Sequence, residues 1–187
     1  MGLRRLELFP DTATIQGGAG AQRLEIAGCD LEALSEEYGT PLYLYDEATL
    51  ESALQEYLHA LKKSFPGEFG LTYAGKAYLC TAIAQWTKIH RLWLDCSSGG
   101  ELALAKAAGL PPENLVLHGV NKSLQDLQLA IQSAGVIVVD HLQELETLIA
   151  VFNPALHFPS LWLRLRPGVV VDTHHYTQTG QEASKFG

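Results

Sequence analysis

The chain has 187 residues, of which 47% are apolar and 18% charged, a composition that suits a folded domain with a real core and excludes disorder. Its formal net charge of −8 argues against nucleic acid or an anionic membrane surface as the main partner. Cys29, Cys80 and Cys96 lack Cys-x-x-Cys spacing, so neither a zinc pattern nor a disulfide framework is expected, and reduced thiols in a cytoplasmic protein are. Met1 to Leu6 lacks the apolar core of a signal peptide, Leu6 breaks the myristoylation pattern, and no apolar run is long enough for a membrane span.

In chain order, residues 1–30 carry short alternating pieces, Leu6-Glu7-Leu8-Phe9 and Leu24-Glu25-Ile26, which predict turn and strand. Gly17-Gly18-Ala19-Gly20 lies between them, without the preceding strand and following helix of a phosphate loop. Leu42 to Tyr45 predicts a strand. Asp46 then caps a helix with Leu50, Ala53, Leu54, Tyr57, Leu58 and Leu61 on one face, ended by Pro66-Gly67. Leu71 to Ala74 is the next strand, followed by a helix from Leu79 to about His90. Leu92-Trp93-Leu94 is strand again. Ser98 and Glu101 have capping-box spacing before a helix over Leu102 to Ala108, with Gly109 as its stop. Leu115-Val116-Leu117 is strand, Ser123 caps a helix, Val136 to Val139 is a buried strand, and Asp140 caps another helix. Leu161 to Leu165 is a final strand, ended by Pro167-Gly168.

Short apolar strands alternating with amphipathic helices predict an α/β fold of parallel βαβ units. An open doubly wound sheet and a (β/α)8 barrel both fit. Polar residues gather just past the strands: Lys76, Asp95 to Ser98, His118 with Asn121 and Lys122, and Asp140-His141. Such a ring at strand C-termini is the habit of the barrel, although open sheets bind ligands there too. About five strands are present where a barrel needs eight, so the chain is expected to be truncated, with unpaired sheet edges.

Lys76 draws attention because it follows directly on an apolar strand. Partial desolvation of an amine favours its neutral, nucleophilic form, which can condense with an aldehyde. A surface lysine after a strand is the plainer alternative. For Glu101, closing a helix N-terminus competes with a role near a ligand. For Asp95 the alternative is a solvated strand-end acid, and for Arg164 a structural ion pair. His118, His174 and His175 invite a metal reading, but no second ligand set has the right spacing.

Gly39-Thr40-Pro41-Leu42-Tyr43-Leu44-Tyr45-Asp46 resembles the segment before the first barrel helix of the pyridoxal-phosphate-dependent decarboxylases for ornithine, diaminopimelate and arginine. Tyr73-Ala74-Gly75-Lys76-Ala77 is similar to that family's cofactor-lysine motif, and Asp95 to Leu102 to its second-strand motif. His118 to Ser123 and Val138-Val139-Asp140 match later strand ends. Arg164 to Gly168, Thr173 to Gly180 and Ser184 to Gly187 look most like the diaminopimelate branch.

The matches run in family order from about residue 23 to the end. The resemblance implies a pyridoxal-phosphate-binding (β/α)8 TIM-type barrel over residues 31–187, incomplete here, and an N-terminal segment, residues 1–30, that belongs to a second, β-rich domain. It implies that Lys76 holds the cofactor and that Asp95, Glu101 and Arg164 lie near it. It also implies an amino-acid substrate, with meso-diaminopimelate giving L-lysine, and a homodimer. Ornithine, arginine and carboxynorspermidine decarboxylases share the lysine motif, and a non-catalytic pyridoxal-phosphate-binding protein or an inert fragment are further readings. Two residues depart from the pattern: Tyr78 and Arg166 each stand where Asn is frequent. The family's ring-stacking histidine, its glycine-rich phosphate site, the acid that pairs with the pyridine nitrogen and the substrate residues of the second domain are expected beyond residue 187.

Overall fold

The structure, a computed structural model, describes residues 3–18, 22–153, 158–168, 180 and 187. It divides into two compact units, Met1–Phe69 and Gly70–Gly187.

The first unit opens with a 3-10 helix over Leu3–Leu8, where alternation had predicted strand. An antiparallel sheet follows, made of β1 (Thr14–Gln16), β2 (Arg23–Ile26) and β3 (Cys29–Asp30), with Thr14 opposite Glu25 and Glu25 opposite Asp30. Helix α1 (Leu31–Tyr38) starts at Asp30, whose carboxylate accepts from the amides of Glu32 and Ala33 and pairs with Arg23 Nη1 at 2.8 Å. Those bonds hold the Asp30 carboxyl below its usual pKa, the Arg23 hydrogen bond most of all. Leu42 to Tyr45 is not a strand. It follows a cis Thr40–Pro41 bond, forms no ladder, and leaves Tyr43 85% exposed. Alternating apolar residues make a strand only where a partner takes up the backbone groups. Helix α2 (Glu47–Ser64) begins beyond Asp46, which is buried and accepts the hydroxyls of Thr12 and Thr49 at 2.8 and 2.5 Å.

The second unit is a parallel sheet in sequential order: β4 (Thr72–Ala74), β5 (Trp93–Cys96), β6 (Leu115–Leu117), β7 (Val136–Val139) and β8 (Ser160–Leu163). Between them run α3 (Thr81–Ile89), α4 (Gly99–Ala107), α5 (Leu124–Ser133) and α6 (Leu142–Ala150). Each strand sits beside the next one in sequence, with a helix between. That is the order of barrel winding, whereas a doubly wound sheet reverses direction at a switch point.

The two faces of this sheet differ. Leu94, Cys96, Leu115, Leu117, Ile137 and Val139 point one way and pack with Ala84, Leu102, Ala105, Leu127, Ala130, Ile131 and Leu148 from the helices. Nearly all of these side chains are fully buried, and each large one contributes about 1.5–3 kcal/mol of hydrophobic stabilisation. The alternate residues, Trp93, Val116, Val136 and Val138, form a second, smaller cluster on the other face. Trp93 of β5 stacks on Trp162 of β8, with ring centroids 6.1 Å apart. Three strand spacings in a flat sheet would separate them by roughly 14 Å. The sheet is therefore rolled, and this second face is its concave side.

Caps fix the helix starts. Ser123 and Asp126 form a reciprocal capping box at α5. Gly109, at φ +79°, takes the left-handed conformation just past α4. At α6 the cap is His141 and not Asp140: His141 Nδ1 accepts from the Glu144 amide at 3.1 Å. Asp140 continues the alternation of β7 and shares the concave-face parity of Val136 and Val138, which aims it at Arg164 instead.

Candidate active site

Strand parity sorts the polar residues at the strand ends. On β5, Trp93 and Asp95 face the concave side. The same parity gives Val116 on β6 with His118 just beyond it, and Trp162 on β8 with Arg164 just beyond it. These six, with Thr72, Val138 and Leu163, line a cleft of about 390 Å³. Its wall is largely apolar; Thr72 opens β4, whereas the other polar residues lie at the C-terminal ends of the strands, as ligand sites in parallel sheets do.

Three of those groups are joined. His118 Nδ1 lies 3.3 Å from Asp95 Oδ2, and His118 Nε2 lies 3.2 Å from Arg164 Nη1. Arg164 Nε is also 3.8 Å from Asp140 Oδ1, and Asp140 is buried. Two of the four sequence candidates, Asp95 and Arg164, are thus brought together through His118, with Asp140 on the other side of Arg164. His118 had been weighed as a metal ligand and Asp140 as a helix cap. Counting parity from Val116 and Val138 would have placed both on the concave side. Asp95 Oδ1 is buried and has no hydrogen-bond partner among the described residues. A buried acceptor of this kind normally has a donor, and here its place is beside the cleft.

Glu101 has a different task. Its carboxylate accepts from Ser97 N at 2.7 Å and from Ser97 Oγ at 2.9 Å, while Ser98 Oγ accepts from the Glu101 amide at 3.3 Å. The expected box is therefore shifted: Ser98 caps the helix, but Glu101 reaches past it to clamp Ser97. Its Oε2 and the Asp95 carbonyl would each lie 3.0 Å from a Cβ placed on Gly75. A side chain at Gly75 would press on both groups, so glycine suits this close approach.

Lys76 sits on a 3-10 turn, Gly75–Ala77, directly after β4. Ala74 is in register with Asp95, so the turn lies beside the end of β5. Tyr73 Oη donates to the Tyr78 carbonyl at 2.7 Å and closes the turn from behind. The desolvation expected of Lys76 is not found. The residue is exposed, because the turn lifts it off the strand, and neither Lys76 nor Glu101 lines the cleft. The segments Thr173 to Thr179 and Ser184 to Phe186 lie outside the described residues.

These groups fit an aldehyde cofactor with acidic and basic partners. An accessible amine stands at a strand end, a buried carboxylate oxygen lacks a donor, and a guanidinium lies across the concave face. Among the described residues no helix is long and apolar enough to cross a membrane.

Residues 51–187 match the family described as pyridoxal-dependent decarboxylase, pyridoxal binding domain. The chain is 39% identical to diaminopimelate decarboxylase of Synechocystis, over 96% of this chain and 39% of that protein. It is 42% identical to the Bacillus subtilis enzyme of the same name, over 88% of this chain and 37% of that one. The crystal structure of diaminopimelate decarboxylase from M. jannaschii in complex with L-lysine superposes with a TM-score of 0.77 at 29% identity, covering 95% of this chain and 41% of that one. The chain spans about two fifths of the length of these relatives.

Proposed function

The chain belongs to the pyridoxal-dependent decarboxylase family as its pyridoxal-binding domain, and from that premise we propose that it serves a decarboxylase that converts meso-diaminopimelate to L-lysine and carbon dioxide. The observation that carries this reading is Lys76: an accessible amine on a turn at the end of β4, beside a concave cleft whose polar groups are an acid, an imidazole and a guanidinium.

When bound, pyridoxal phosphate supplies a sink for the electron pair left behind as a carboxylate departs. The residues here hold and orient. Lys76 Nζ would hold the cofactor by its aldehyde, and as a free amine it could hold a proton and return it to the substrate's α-carbon. Asp95 offers its unpaired Oδ1 to a donor in the cleft. Arg164 sets positive charge on the same concave face, above the apolar wall of Trp93, Val116, Val138 and Trp162. Glu101 acts one step back, by holding Ser97 and seating Gly75.

The choice of diaminopimelate over ornithine or arginine rests on the relatives and on the resemblance of Thr173 to Gly180. A homodimer and residence in the cytoplasm belong to the same proposal. The test is to offer meso-diaminopimelate, ornithine and arginine in competition to the complete decarboxylase that this domain serves, with pyridoxal phosphate present; the domain by itself is expected to be inactive. Lysine is the expected product. Putrescine or agmatine without lysine would reassign the substrate.

A further inference from the structure

His118 ends the concave row of β6, with one ring nitrogen toward an acid and the other toward a guanidinium. Guanidinium nitrogens donate and never accept. The 3.2 Å contact with Arg164 Nη1 is therefore a hydrogen bond only if His118 Nε2 presents its lone pair. The ring's one proton must then sit on Nδ1, where it meets Asp95 Oδ2 at 3.3 Å. The opposite tautomer would set N–H against N–H on one side and a lone pair against a carboxylate on the other. The doubly protonated ring would keep Asp95 and lose Arg164.

We infer that His118 is a positioning residue, held neutral with its proton on Nδ1, which bridges Asp95 to Arg164 and fixes both groups around the cleft. The inference rests on the proposed function for its catalytic meaning, though not for its geometry. Among the described residues, the charged groups that share this network are Asp95 at the end of β5, Arg164 beyond β8 and Asp140 beyond β7. Asp140 braces the other side of Arg164, so each end of the bridge is tied to a different strand.

The tautomer can be read without the cofactor. In the full chain labelled with 15N-histidine, long-range proton–nitrogen correlation separates the two ring nitrogens, and the His118 signals are those missing from His118→Gln. The expected result is a protonated Nδ1 and a bare Nε2, with Arg164→Leu and Asp95→Asn each moving the ring toward the other tautomer. A ring protonated on Nε2, or one unmoved by both substitutions, would overturn the inference. In the complete decarboxylase that this domain serves, with pyridoxal phosphate bound, His118→Phe is expected to lower kcat by about 100-fold with little change in KM, the scale of a misplaced reacting group. His118→Gln, which keeps one donor and one acceptor, should recover much of that loss. Equal rates in the Phe and Gln variants would also overturn it. Failure of the functional reading has a different sign: Lys76 taking no cofactor while the Nδ1–H tautomer persists.

Discussion

Single residues at the end of β5 show how position decides chemistry. Asp95 and Cys96 are neighbours in sequence, but parity turns Asp95 toward the cleft and Cys96 into the core beneath the helices. Burial pushes the Cys96 thiol from 9.0 up to about 12, with the charges of Glu101 and Asp95 adding to the effect. The sign of the linkage follows. Above pH 9.0 the unfolded thiol ionises while the folded one keeps its proton until about 12, so stability falls across that window. Cys96→Ala should flatten this alkaline loss in thermal melts taken from pH 8 upward, even though it lowers stability at neutral pH by leaving a cavity. The exposed Cys29 should react with a thiol reagent in the native protein, and Cys96 only after unfolding. Gly75 makes the complementary point. Its lack of a side chain is what allows the Lys76 turn to rest against Asp95 and Glu101, and a sequence shows a glycine without showing what crowds it.

At the scale of elements, the loops between strand and helix are fastened by specific polar contacts. In the segment between β6 and α5, Lys122 Nζ lies 2.9 and 3.1 Å from the two carboxylate oxygens of Glu144 on α6, with both side chains almost wholly buried. Lys122→Met would strand the Glu144 carboxylate without its counter-charge and should destabilise the protein by about 3–5 kcal/mol in denaturant unfolding. The double variant Lys122→Met with Glu144→Leu should regain most of that loss, because two apolar groups replace the pair together. The same elements show what could be read in advance. Leu115–Leu117 and Val136–Val139 form strands at the predicted residues, since short apolar runs between caps have few other uses. Ser123 was legible as a cap because its bonds are local. Leu42 to Tyr45 misled because a strand depends on a partner that the sequence does not display. Helix α1 was missed although Asp30 announces it, since Asp30 also ends β3 and the helix buries none of its residues.

For the molecule as a whole, alternation of strands and helices fixed the class, but choosing between barrel winding and a doubly wound sheet needed the strand order. Sequential order β4 to β8 and the Trp93–Trp162 stack across the rolled sheet supply that choice. The site was legible as a set of strand-end residues, and less so as an arrangement. Asp95 and Arg164 meet through His118, a contact spanning 46 residues of sequence on the Arg164 side, whereas Glu101 stands apart as a clamp. In the proposed reading these strand ends serve one amine, that of Lys76.

That amine gives the most direct test. The complete decarboxylase that this domain serves is loaded with pyridoxal phosphate, reduced with borohydride and digested, and its peptides are mapped by mass spectrometry. The account predicts a stable pyridoxyl adduct on Lys76, absent from Lys76→Ala. An adduct on a different lysine, or one that survives in Lys76→Ala, would contradict it.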